Sequence, residues 1–431
     1  MSESPAPRLG RREERAGWPG GFLYAHRFLF FFFVYVVLYN YVVVTRFEYT
    51  GVNWITYPYF LVDYRTMGFR SQLLPGSVFY GIFGERSNED VAAAVNTALL
   101  LVIFFGIALL LERFVKNVGP GLRSSAVLLA VFYLSGMFTF SIFTDLPGML
   151  DVYWVFFSVL FFVFLKNRLL RWLIPALYVL SMLIHFSSVI GCIILFSIVL
   201  LYEIASARDR KSRTVFLVVF ALSMLSTILV FGYFLIHNED GLPMTLEEFD
   251  EMLLSRGGKY TWYYDYAFYN IHRGKEVVPS SVFAIESPVL RIVSTVRHRI
   301  IFNIGLLAEE KSQTFRVLSL SAMILVPAAV FYYRRLLRFF GRLKGEPLKR
   351  FCVFLMMVQV PVTAAGCLFS VDLVRWLSHA FLIAFTLLLY LLYNEPNLRS
   401  DVLGDVKGLR SSFPFAVYAL AYFFSNARAY G

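Results

Sequence analysis

Four clusters in the chain combine side chains able to bind an anion or move a proton. The first is LVDYRTMGFRSQLLPG (61–76), which sets Asp63, Arg65 and Arg70 among Gly68, Pro75 and Gly76 directly after the first apolar region. The second, TDLPGMLD (144–151), carries Asp145 and Asp151 on either side of a Pro-Gly turn. The third is HFSS (185–188), a His followed by two Ser inside an apolar run. The fourth, VDLVRWLSH (371–379), holds Asp372, Arg375 and His379. A carboxylate can accept a proton from a hydroxyl, guanidinium groups match phosphate oxygens and stabilise charge on a departing phosphate, and an imidazole can bind phosphate or shuttle a proton.

Each group also has a structural reading. Asp63 and Asp151 can cap helices, Arg65 and Arg70 can anchor the chain at lipid headgroups, and Asp372 and Arg375, three apart, can pair on one helical turn. The two Ser after His185 can satisfy backbone groups at a turn.

The elements that must position these groups are apolar. Of 431 residues 58 % are hydrophobic and 16 % charged, against about a quarter charged in soluble domains. Several apolar runs approach the roughly 20 residues of a membrane-crossing helix. The sequence therefore predicts an all-α, polytopic transmembrane bundle of about ten or eleven helices. The formal charge of +11 matches the Lys and Arg that gather in cytoplasmic loops and does not call for nucleic acid. Cys192, Cys352 and Cys367 all lie in apolar runs, without metal-ligand spacing. No cleavable signal peptide is recognisable.

Residues 1–27 form a basic tail with Arg8, Arg11, Arg12, Arg15 and Arg27, expected in the cytoplasm. A single transmembrane domain, 28–424, follows, and then a short tail, 425–431. The expected helices are 28–44, 91–111, 125–142, 152–165, 172–184, 187–202, 214–236, 315–333, 351–370 and 377–393, with a last run from Phe413 to Phe424 that either crosses or lies in the interface. Residues 45–90 become a first outer loop and 237–314 a long one. Between the basic segments at Arg171 and 207–213 only two short crossings fit, so their tip near His185 is expected below the outer surface, facing protein or water. This threading puts Asp63, Arg65, Arg70, Asp145, Asp151, His185, Asp372, Arg375 and His379 on one side.

In the long loop, MTLEEFDEMLLSR (244–256) has the spacing of a short amphipathic helix. KYTWYYDYAFYN (259–270) suits the membrane interface or stacking on sugar faces. VLRIVSTVRHRIIFNIGLL (289–307), with Arg297 and Arg299, reads as a basic helix on the outer leaflet or as a lipid-phosphate contact.

A short acidic first outer loop, a later large outer loop and short helices dipping at the outer face resemble the GT-C glycosyltransferases. The same plan with outer Arg and a His resembles bacterial Wzy-type polysaccharide polymerases, and DYRTMGFRSQLLPG looks like a pattern of bacterial membrane proteins. The resemblance implies a bacterial inner-membrane enzyme of the cell envelope that takes sugar from a polyprenyl-phosphate-linked donor to a glycan acceptor. Asp63 would then be the general base, His185 a second catalytic group, and Arg65, Arg70 and Arg375 phosphate-binding groups. Asp63 is followed by Tyr64 and Arg65, not by a second acid as in many GT-C enzymes, which leaves a divalent metal an open expectation. A transporter or flippase for a lipid-linked saccharide would use midplane groups, for which Asn96, Gln359 and Pro361 are the candidates. A non-catalytic membrane subunit would use the long aromatic loop for docking.

Overall fold

A computed structural model describes residues 20–44, 57–70, 72–86, 88–136, 138–141, 150–237, 244–258, 285, 287–309, 311–368 and 373–425. Among these the chain is helical, with no strand. In chain order the helices are α1 Arg27–Tyr39, α2 Leu74–Phe83, α3 Glu89–Lys116, α4 Arg123–Leu134, α5 Val152–Lys166, α6 Ile174–Ile184, α7 Cys192–Ser206, α8 Arg210–His237, α9 Leu246–Ser255, α10 Pro288–Glu309, α11 Lys311–Arg342, α12 Pro347–Ala364, α13 Leu373–Asn394, α14 Pro396–Leu409 and α15 Phe413–Phe424. Two single-turn helices, Pro58–Leu61 and Tyr64–Met67, precede α2.

Four stretches are long and apolar enough to cross a membrane: Asp90–Lys116, Arg210–Phe234, Pro347–Ala364 and Arg375–Asn394. Only 17 % of the most apolar window of Arg210–Phe234 is buried inside the protein. Leu217, Leu222, Leu225, Ile228 and Leu229 are all exposed on it, an apolar face larger than water-exposed helices carry. Further apolar helices of 10–17 residues, such as Cys192–Ser206, accompany these four.

Several ends follow from local chemistry. Asn88 caps α3, its side chain accepting from Val91 N–H at 2.9 Å. Thr245 and Glu248 form a reciprocal capping box at the start of α9. Leu246–Ser255 falls within the amphipathic segment read from the sequence, and Phe249 and Leu253 are its buried stripe. Other boundaries shift. The helix expected to reach residue 142 stops at Leu134. The basic segment after 333 continues α11 to Arg342. Residues 396–409 are helical, and residues 57–83, read as loop, hold three short helices. A Pro in the first turn of α12 and of α14 begins helices where a Pro-containing linker was expected, because Pro at that position lacks only an N–H that has no helical partner.

The main apolar core joins α1, α3–α8 and α11–α15. A second, smaller core packs Tyr57, Phe60, Leu61, Val62, Met67 and Phe79 onto Phe249 and Leu253 of α9. Arg256, just after α9, ties the two parts of this second core together. It donates to the Leu61 carbonyl at 2.6 Å, lies 3.4 Å from Asp63 and sits over the Tyr80 ring.

Candidate functional site

Four of the residues singled out from sequence come together. Asp151 immediately precedes α5, Arg375 and His379 stand one turn apart near the start of α13, and His185 follows the last turn of α6. Arg375 Nε is 2.5 Å from Asp151 Oδ2, and His379 Nε2 is 3.9 Å from Asp151 Oδ1. Asp151 and His379 are almost wholly buried, at 3 % and 2 % exposure. Burial, the largest single effect on the Asp151 carboxyl, raises its pKa. Arg375, His379 and His185 together outweigh burial, and the net shift is downward. Asp151 is thus held as a carboxylate, chiefly by the Arg375 guanidinium.

Two tryptophans roof the cluster. The Trp154 ring lies 4.5 Å from His379, 5.9 Å edge-on from His185 and 6.4 Å from Trp376, whose own ring is 5.4 Å from His379. Both indoles rest on glycines. A Cβ on Gly191 would come within 2.6 Å of Trp154, and one on Gly366 within 2.3 Å of Trp376, so any larger residue would push a ring into the cluster.

The first cluster reaches this site through Gln72. Its side-chain amide N is 3.4 Å from His185 Nε2, and its backbone N–H donates to the Leu183 carbonyl at 2.9 Å. The Gln72 amide and the His185 ring thus face each other across one long polar contact. Gln72 is also the one non-glycine described with positive φ, at 75°, a conformation that costs energy away from glycine and clusters at working sites.

The remaining candidates are elsewhere or otherwise engaged. Asp63 is buried and caps Tyr64–Met67: its Oδ1 accepts from the Thr66 N–H and hydroxyl at 2.9 Å each, and Oδ2 faces Arg256. Arg70 is buried, its Nε donating to the Met67 carbonyl at 3.1 Å. Arg65 and Arg297 are exposed. Arg299 belongs to α10, but its side chain lies outside the described residues, as do Asp145, Asp372 and the aromatic segment 259–270. The midplane candidates are engaged in packing. Gln359 donates to Thr363 at 3.3 Å and to the Ala380 carbonyl at 3.2 Å, and Asn96 donates to Ala92. Among the described residues, no three His, Cys, Asp or Glu side chains gather as a metal site.

Sequence reading left Gln72, Trp154 and Trp376 unmarked as site residues and did not assign His379 a role. The signal was present for two of them, Trp154 and His379. Asp151 and Trp154 are three apart, and Arg375 and His379 four apart, each a same-face spacing on a helix. Gln72 carries no such signal, since only the fold brings it to His185. The chain matches no model of a known protein family, and a search of curated proteins finds no relative.

Proposed function

We propose that the chain spans the membrane about ten or eleven times with its N-terminus in the cytoplasm, and that it transfers sugar at the outer leaflet from a polyprenyl-phosphate-linked donor to a glycan acceptor. The observation that carries this reading is the buried cluster of Asp151, Arg375, His379 and His185 under two indole rings. It combines anion-binding groups, a proton acceptor and flat apolar surface, the three things a sugar phosphate requires. The same threading runs α3, α5 and α13 from outside to inside, which supports an outer position for Asp151 and Arg375.

In the reaction, the acceptor hydroxyl oxygen bonds to the anomeric carbon. The bond from that carbon to the phosphate oxygen breaks, and its electron pair leaves with the phosphate. Arg375 and His379, oriented by Asp151, stabilise that charge. The acceptor proton passes to the imidazole of His185. Asp63 takes no proton in this scheme, because Thr66 and Arg256 already engage its carboxylate. A transporter would place its binding groups near Gln359 and Asn96; Gln359 instead bonds across to the Ala380 carbonyl of α13, and Asn96 to the Ala92 carbonyl within α3.

The test is transfer of label from polyprenyl-phosphate-linked sugars to glycan in membranes holding equal amounts of wild type, Arg375→Gln or His185→Ala. The variants are expected to lose at least about a hundredfold in rate, the usual scale for a lost charge-stabilising or proton-transfer group. Undiminished transfer by both removes the reading.

A further inference from the structure

At the other end of the same helices is a cavity of about 140 Å³. The C-terminal halves of α3 and α13 and most of α5, from Val155 to Lys166, wall it, with Tyr133 of α4, and its lining is overwhelmingly apolar: Leu110, Phe114, Val159, Phe162 and Leu389 among others. An apolar cavity of about 150 Å³ stays dry and takes up a hydrocarbon the size of benzene, so this one has room for a short stretch of a single lipid chain. A hydrogen bond of 3.1 Å between the Tyr133 and Thr386 hydroxyls stands between it and a space of about 30 Å³ beside Trp154 and His379.

Charge marks the rim. Arg113 and Lys166 both border the cavity, at the last turns of α3 and α5. Arg113 is exposed. The Lys166 side chain is 46 % exposed, 3.8 Å from Glu203 and 5.2 Å from the Tyr393 ring. Tyr390, also in the lining, donates to Glu203 at 2.9 Å. Two cations and one carboxylate leave a net charge of +1 at the mouth, which matches one phosphodiester. Lys116, the next cation along α3, is taken up by Glu112 at 2.9 Å.

We propose that this cavity is a binding site for an anionic phospholipid, with one acyl chain entering between α3, α5 and α13 and the phosphodiester at Arg113 and Lys166. The source is the bilayer itself, which surrounds helices whose exposed residues include Leu101, Val102 and Phe105 on α3. The cavity shares Tyr133, Val155, Ser158 and Thr386 with the small space beside Trp154 and His379, and the proposal does not rest on sugar transfer.

Photocrosslinking in nanodiscs tests it. The discs are phosphatidylcholine with a minority of phosphatidylglycerol carrying a diazirine in one acyl chain, and crosslinked peptides are mapped by mass spectrometry. Crosslinks are expected on 107–114, 155–166 and 386–393. Arg113→Gln and Lys166→Gln, both at the surface and tolerant of change, should each cut the yield about fivefold. Leu110→Trp, which fills the cavity, should abolish it, and the two charge variants decide the matter if that variant does not fold. Equal yield from diazirine-bearing phosphatidylcholine, crosslinks confined to other helices, or displacement of the phospholipid by equimolar polyprenyl phosphate each overturns the proposal.

Discussion

At the scale of single residues, the contrast between Asp151 and Asp63 is the informative one. Both are buried carboxylates facing an arginine, yet only Asp151 also has two imidazoles around it. Arg375→Gln leaves that carboxylate buried with its main cation gone. The expected loss is about 3 kcal/mol, the low end for breaking a buried pair because Arg375 keeps 24 % of its side chain exposed; thermal unfolding in detergent measures it. The downward shift at Asp151 also sets a pH dependence. A group whose pKa is lower folded than unfolded stabilises the fold above its unfolded value and loses that contribution as pH falls through the folded one. The stability gap between wild type and Asp151→Asn should therefore be constant at neutral pH and start to close below about pH 4. Asp63 calls for a different comparison. Asn caps a helix as well as Asp does, so Asp63→Ala should be about 1 kcal/mol less stable than Asp63→Asn. Under the proposed scheme Asp63→Asn also keeps its transfer activity, whereas a proton-accepting Asp63 would lose it.

At the scale of elements, the second core explains why a segment that reads as loop is ordered. Residues 57–83 are held by close backbone contact, by α9 and by Ala92 in the first turn of α3. Gly76 is the tightest point: a Cβ there would lie 1.9 Å from the Val62 carbonyl oxygen and 2.3 Å from that of Tyr59. Backbone atoms cannot yield as a side-chain tip can, so Gly76→Ala is expected to cost about 3 kcal/mol or more. Hydrogen exchange should then rise across 57–83 and α9 while α5 and α13 remain protected. The two short helices α6 and α7 meet at His185–Gly191, where 3-10 turns replace a continuous helix. That break puts an imidazole among buried groups and exposes backbone that only protein partners can satisfy. The Thr363 hydroxyl, donating to the Ile190 carbonyl at 3.0 Å, is one such partner.

For the whole molecule, orientation decides whether the cluster and the cavity can have the assigned roles. Arg65 and Lys344 are exposed and should lie on opposite faces of the membrane. Cys192 and Cys352 are buried, so with Cys367 changed to Ser the background for thiol labelling is low. In intact cells a membrane-impermeant maleimide should label Arg65→Cys, and should label Lys344→Cys only after permeabilisation. The opposite pattern would turn the Asp151 cluster toward the cytosol and end the proposed outer-leaflet chemistry.

Composition and run length alone fixed that the chain is helical and apolar, because burying backbone in long apolar stretches leaves the α-helix as the main way to satisfy its hydrogen bonds. The same arithmetic placed most helices within a few residues, and it identified α9 from its amphipathic spacing. Side-chain type also flagged Asp151, His185 and Arg375. What spacing could not supply was their company. Asp151 and Arg375 are 224 positions apart (375 − 151), and no local rule links residues so distant. Only the packing of α5 on α6 and α7, and of α7 on α13, brings the carboxylate, guanidinium and imidazoles into one buried volume. The cap at Asp63 was legible in the sequence, but tertiary structure paired that carboxylate with Arg256 and drew Gln72 to His185 through a backbone turn that its residue type disfavours. Local periodicity governs which segments become helices, whereas the charges that meet depend on how those helices pack, a property of the whole chain at once.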